Sequence, residues 1–308
     1  MKNRHYLLSF LLLLSILIRL PNLDRPISKH HEFCTALALV TFDIWNDKGA
    51  AEFHYSPVTN YQNPPDLSIN NGTVPFIKNG THYYLSHPPL GFWLPYYSFK
   101  LLGLAHSNLH LQLFNLLFHL LATLCVFSIS RMLLKEDSLQ NQILSPSIIA
   151  AGIYLFSPAM LWYGCNVYFS DIFVNQLFVI SIWAILKSKK VENAFFQNKN
   201  SKTLSSKLYV NLLMVSILVL ATMLTEWIGY FLVVSMGFYA LLQFFKTPNQ
   251  TAKRYYALQI GSIFLVGIAG MGITFFVYSD ILGAEAFLQY LKQRFLTRTG
   301  QLDGNGSK

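Results

Sequence analysis

The chain has 308 residues, of which 53% are hydrophobic and 12% charged, about half the charge of an ordinary soluble domain. That composition excludes a disordered chain and disfavours a soluble domain. Apolar runs recur along the whole length, and several reach the ~18–20 residues that cross a hydrocarbon core. The 23 Lys and Arg against 14 acids would point to nucleic acid in a soluble protein, but here they report where the loops lie, so no nucleic-acid partner is expected.

The first run, Tyr6 to Leu20, follows Lys2 and Arg4 and precedes Pro21-Asn22-Leu23-Asp24-Arg25-Pro26, which lacks a small-x-small cleavage pattern. It reads as an uncleaved first helix with Arg19 snorkelling to the outer interface. Residues 21 to about 107 then form one long outer loop, and long loops are usually functional. Within it, Glu32 to Trp45 reads as an amphipathic helix, with Phe33, Leu37, Val40 and Ile44 on one face and Glu32, Thr35, Asp43 and Asn46 on the other. Leu90 to Gly103 is too short to span and carries Pro95 and Lys100, so it reads as a second interfacial helix opened by Pro88-Pro89. Between the two, Tyr55 to Gly80 is expected to be irregular and Thr81-His82-Tyr83-Tyr84 an extended surface segment. Asn71-Gly72-Thr73 and Asn79-Gly80-Thr81 match a glycosylation pattern that is short and frequent.

Later spans are expected at about 108–130, 146–164, 170–186, 208–225, 228–245 and 257–278, seven with the first. With the amino terminus inside, Lys2, Arg4, Arg131, Lys135, Lys187, Lys189, Lys190, Lys199, Lys202, Lys207, Lys246, Lys253 and Arg254 fall in four short inner segments, as the positive-inside rule requires. Gly267-Ile268-Ala269-Gly270 suits close helix packing. Ile281 to Arg298 reads as an outer interfacial helix, followed by a polar tail ending at Lys308. The expected organisation is therefore an all-α polytopic membrane module over 1–279, with interfacial helices at about 29–47 and 88–103, then the helix and tail over 280–308. The odd cysteine count, Cys34, Cys125 and Cys165, has no CxxC spacing, and Cys125 reads as packing.

Ionisable groups at span ends are functional candidates. Asp24 and Glu32 follow the first span, Asp171 lies in the turn between the third and fourth, and Glu226 between the fifth and sixth. These four carboxylates fall at one depth, with His30, His31 and His87 in the same layer. Each has a plainer alternative: Asp24 as a turn cap, Glu32 and Asp171 as complements to a helix dipole. His30-His31-Glu32 could ligate a divalent metal with Asp171 as a further oxygen donor, but adjacent histidines seldom both reach one ion, so Asp171 and Glu32 are the ligands expected if one is held.

A first helix, a long outer loop with an acidic motif at an interfacial helix, and then His87-Pro88-Pro89-Leu90-Gly91 together resemble the GT-C class of glycosyltransferases. Within it the chain is similar to the superfamily of protein O-mannosyltransferases and lipid A aminoarabinose transferases. Its HPPLG run resembles their HPPLGK-type segment, with Phe92 in place of the lysine. Arg19-Leu20-Pro21-Asn22 leading to His31-Glu32 resembles the approach to their Asp-Glu pair, and Ser157-Pro158 with Ser170-Asp171 and Thr225-Glu226-Trp227 resemble further outer-loop motifs.

The resemblance implies a polyprenyl-phosphate sugar as donor and a protein, lipid or glycan acceptor at the outer face of the membrane, which for a bacterial chain is the plasma (inner) membrane. It implies inverting transfer with a carboxylate as general base. The family's first acid falls at His31. Either Glu32 or His31 therefore takes over, Asp24 serves instead, or activity is lost; Glu32 is favoured as base, Asp171 as orienting or metal-binding partner, and His87, Pro88 and Glu226 as the donor side. The other classes are a non-catalytic lipid-carrier-binding or scaffold subunit and a transporter, the latter expected to show charged or broken helices at the midplane.

Overall fold

The computed structural model describes residues 2–28, 32–60, 76–134, 144–197 and 202–298, and 82% of these are helical. The chain is a helical, multi-pass membrane protein: six helices are long and apolar enough to cross a bilayer, at Arg4–Asn22, Asn108–Leu134, Ser170–Gln197, Ser206–Thr225, Trp227–Lys246 and Gln250–Leu282. The helices are α1 (Lys2–Arg19), α2 (Phe33–Lys48), α3 (Leu90–Leu102), α4 (Asn108–Leu134), α5 (Pro146–Phe156), α6 (Pro158–Tyr163), α7 (Ser170–Gln197), α8 (Lys202–Thr225), α9 (Tyr230–Lys246), α10 (Gln250–Leu282) and α11 (Ala284–Arg298). Phe231, Val234, Phe238, Phe264 and Leu265 are exposed on α9 and α10, as side chains that face lipid rather than water are.

The expected span at 146–164 is instead a broken pair. Proline lacks an N–H and pushes the residue before it into extended backbone; Ser157, with ψ 142°, ends α5 after 11 residues, and Pro158 starts α6, of 6 residues. The pair still runs back along α4. Ile148 and Ala151 cluster with Phe127, Tyr154 stacks on His119 at 5.1 Å, and the Tyr163 carbonyl accepts from Asn115 Nδ2 at 3.0 Å. Helix α7 then runs parallel to α4: Phe173 meets Phe118 at 4.9 Å, Gln176 donates to Asn115 at 3.0 Å, and Trp183 donates to Ser128 at 3.0 Å.

Arg19 does not snorkel outward. It is 2% exposed and turns into the helix break, where Nη1 donates to Ser15 and Nη2 donates to the carbonyls of Leu155 at 3.0 Å and Met160 at 3.1 Å and contacts His119 Nε2 at 3.3 Å. The interrupted helix leaves main-chain acceptors without the donors of a continuous ladder. A guanidinium, with five N–H groups and no acceptor, satisfies them where water cannot enter.

The long loop also differs from its expected form. Helix α2 is not a one-sided surface helix: Phe33 is exposed, whereas Glu32, Thr35 and Thr41, with Leu37, Ala38, Phe42 and Trp45, are buried. It is covered by a three-stranded antiparallel sheet, β1 (Val58–Asn60), β2 (Phe76–Lys78) and β3 (Thr81–Tyr83), in the order β1-β3-β2. Thr81–Tyr83 is thus the central strand rather than a surface segment, and part of the stretch expected to be irregular is paired. Thr41 ties helix to sheet, its hydroxyl donating to the Val58 carbonyl at 2.8 Å. Trp45 and Tyr96 meet edge to face at 5.1 Å, and Tyr96 donates to the Trp45 carbonyl at 3.2 Å, which locks α3 to α2. Helix α3 closes at Gly103, φ +66°, the left-handed cap that glycine adopts at little cost.

Helix α10 is 33 residues long, about 50 Å at 1.5 Å per residue, so it extends past the expected end of its span to Gly283. Among the glycines that suit close packing, Gly270 faces Met223 and Leu220 of α8, and Gly267 faces Val233 of α9. All three cysteines are buried as free thiols.

Candidate functional site

Three of the expected residues converge. His87 lies in the loop that leads into α3, Asp171 in the first turn of α7, and Glu226 in the turn between α8 and α9. One ligand atom from each lies within 4.8 Å of the others, with His87 and Glu226 buried and Asp171 exposed. His87 Nδ1 is hydrogen-bonded to the Glu226 carboxylate.

Each position is fixed by its own local chemistry. Pro88 and Pro89 stiffen the backbone after His87, and Pro88 is buried. The His87 ring packs edge-on to Phe169 at 5.2 Å and beside Tyr84 at 5.7 Å, and Tyr278 of α10 donates to its carbonyl. Asp171 sits where its charge complements the α7 dipole. Just before it, the hydroxyl of Tyr168 donates to the Gly91 carbonyl and its N–H to Thr35 Oγ1 at 2.9 Å. A side chain at Gly91 would meet Ser170 Oγ at 2.9 Å. The Glu226 turn closes on itself, with Gly229 N–H donating to the Glu226 carbonyl at 3.0 Å, and Trp227 Nε1 donates to the Ser86 carbonyl at 3.0 Å. Three chain segments far apart in sequence are therefore cross-braced around one point.

A cavity of about 390 Å³ opens beside the cluster between α7, the Glu226 turn and α9, with Asp171, Glu226 and Trp227 in its wall. That is within the range of small-molecule sites. The electrostatics reach into α2. Burial, and then the charge of Asp171, push the Cys34 thiol in the first turn of α2 up to about 12.

The remaining expected residues are placed differently. Glu32 is 2% exposed, and its carboxylate takes Arg25 on one oxygen and the Ser28 N–H on the other. The Arg25 guanidinium lies 4.9 Å over the Trp162 ring. Glu32 is thus the anchor of the 25–28 segment. Asp24 is exposed with φ +58°, and its N–H donates to Gln112 Oε1 at 2.7 Å, so it serves the turn after α1. His30 and His31 lie outside the described residues. Asp171 lies with His87 and Glu226, whereas the Glu32 carboxylate is taken up by Arg25 and Ser28. Tyr278 carried no signal of its own, since in sequence it is one more aromatic at the end of an apolar run.

No protein-family model matches the chain, and no curated protein matches it.

Proposed function

We propose that the chain is a GT-C-like membrane glycosyltransferase that moves a sugar from a polyprenyl-phosphate donor to an acceptor hydroxyl. In this reading it lies in the plasma membrane with its amino terminus cytoplasmic and the His87 site outside. The observation that carries the reading is the meeting of His87, Asp171 and Glu226 within 4.8 Å at the end of an apolar bundle. There a lipid-borne phosphate and a polar acceptor can both arrive. Ionisable groups are kept at membrane depth only where they pair or act.

The roles follow from burial. Asp171 is the exposed carboxylate, so it receives the proton as the acceptor oxygen attacks the anomeric carbon. The carbon–oxygen bond to the donor phosphate breaks with its electron pair going to that phosphate, and the configuration inverts. His87, held through Nδ1 by Glu226, keeps Nε2 for the departing phosphate, to which it donates as the imidazolium with a proton on each ring nitrogen. Glu32, saturated by Arg25 and Ser28, holds the approach segment rather than the proton.

In an arrangement that excludes the His87 hydrogen bonds above, one imidazole nitrogen and two carboxylate oxygens form a donor set suited to a divalent cation, with positions left for phosphate oxygens. When bound there, such an ion would neutralise charge on the leaving phosphate. Asp171 has two oxygens and can face the cluster with one and the acceptor with the other.

Native mass spectrometry of the detergent-purified chain with polyprenyl-phosphate hexoses and pentoses, against the sugar-free carrier, tests this reading. It predicts selective retention of a sugar-loaded lipid, weakened by His87→Ala. Folded protein that retains none of these lipids overturns it.

A further inference from the structure

At the end of the bundle opposite His87 lies a larger cleft, of about 1000 Å³, between α1, α4 and α7. Lys187 is 16 residues beyond Asp171 on the same helix, about 24 Å along its axis. The cleft has two kinds of wall. Leu8, Leu124, Phe127 and Leu186 line it with hydrocarbon, and Arg131, Lys187 and Lys190 stand at it with positive charge. Among the described residues no acidic side chain lines it. Lys189 also borders the cleft, but its ammonium lies 4.6 Å over the Tyr239 ring on α9, so it is turned to the other side of α7.

The frame is braced. Trp183 Nε1 donates to Ser128 Oγ at 3.0 Å, pinning α7 to α4, and Lys187 lies over the Trp183 ring at 4.7 Å. His5 of α1 packs against Phe127 at 6.1 Å. Lys187 and Lys190 are exposed and three residues apart, hence on one face of the helix.

From this charge complementarity we infer that the cleft is a binding site for an anionic glycerophospholipid of the adjoining leaflet, with its phosphate among Arg131, Lys187 and Lys190 and an acyl chain along Leu8, Leu124 and Phe127. A soluble phosphate would use the cations alone. The apolar wall, formed by membrane-spanning helices, selects the lipid. Basic pockets between spanning helices recognise such headgroups through charge-assisted hydrogen bonds from Arg and Lys, and the volume accommodates a headgroup with part of a chain. The inference is independent of the chemistry at His87.

The test uses the full chain in detergent, with dioleoylphosphatidylglycerol and dioleoylphosphatidylcholine as probes and native mass spectrometry as readout. One phosphatidylglycerol is expected to be retained in preference to phosphatidylcholine. Arg131→Gln with Lys187→Gln and Lys190→Gln should cut that retention at least tenfold, and inorganic phosphate at millimolar concentration should not displace the lipid. Lys246→Gln with Lys253→Gln, which removes two cations that do not line the cleft, should leave it unchanged. Equal retention of the two lipids, an equal loss in the control variant, or displacement by inorganic phosphate overturns the proposal. If the triple variant fails to fold, Leu124→Trp in the apolar wall must lower retention by itself, and undiminished retention there is also contradictory.

Discussion

Arg19 bridges the break in the third apolar segment by donating from Nη2 to the carbonyl of Leu155 at 3.0 Å. Its further bonds to Met160, whose carbonyl also takes the Gly164 N–H, and to Ser15 of α1 hold the guanidinium in place at the break that Pro158 makes. Arg19→Leu removes those donors and is expected to destabilise the fold by about 1 to 3 kcal/mol for the Leu155 carbonyl left bare. Heating the detergent-solubilised protein and following the loss of monodisperse material measures this. Pro158→Ala restores an N–H in the same segment, so the double variant should lose less than the sum of the two single changes.

Gly229 packs on the end of α8 so closely that an added Cβ would lie 2.5 Å from the Met223 nitrogen and 2.6 Å from its Cα. Neither atom is the end of a flexible side chain. Gly229→Ala must therefore shift the Glu226 turn until those backbone contacts are relieved, and that shift moves Glu226 relative to His87. The expected outcome is a folded protein with weakened donor or metal binding, seen as a rise in the apparent Kd by native mass spectrometry or calorimetry.

The thiols should be inert in the folded state. Burial holds Cys34 near 12, helped by Asp171, and Cys165 near 11 against the opposing charge of Arg19. The thiolate is the reactive form, so at pH 8 about one thousandth or less of either thiol is available. Iodoacetamide is expected to label these cysteines far more slowly in the native protein than after denaturation. The fold keeps protons that an unfolded thiol, with its ordinary value of 9.0, releases. Stability should therefore be fully present below pH 9 and fall as pH rises toward 11, which thermal scans at pH 8 and pH 10 compare.

Asp171→Asn should, through the same coupling, lower the Cys34 value and raise its slow labelling rate in the native protein. Glu226→Gln, which leaves Asp171 in place, serves as the contrast.

Much of the site was legible as depth rather than as contact. The alternation of apolar runs and turns placed Asp171 and Glu226 at one end of the bundle, and Pro88-Pro89 marked the start of α3. What could not be read was partnership. Glu32 and Glu226 are both acids next to a helix, yet only the fold shows that Arg25 and Ser28 claim the first while His87 holds the second. The burial of Arg19 was missed because snorkelling and inward capping look alike until the helix break at Pro158 is known. The sheet was missed because its strands are only three residues long, too short for an alternating pattern to register.

The central claim is that Asp171 takes a proton during transfer of a sugar from a lipid phosphate. It is tested most directly by release of polyprenyl phosphate from polyprenyl-phosphate sugars in proteoliposomes supplied with membrane extract as acceptor source, comparing the native chain with Asp171→Asn. The account predicts sugar-dependent release by the native chain, a loss of about 100-fold or more in the variant, and donor retention unchanged by native mass spectrometry. Release that continues undiminished in Asp171→Asn, from protein that still binds the donor, would contradict it.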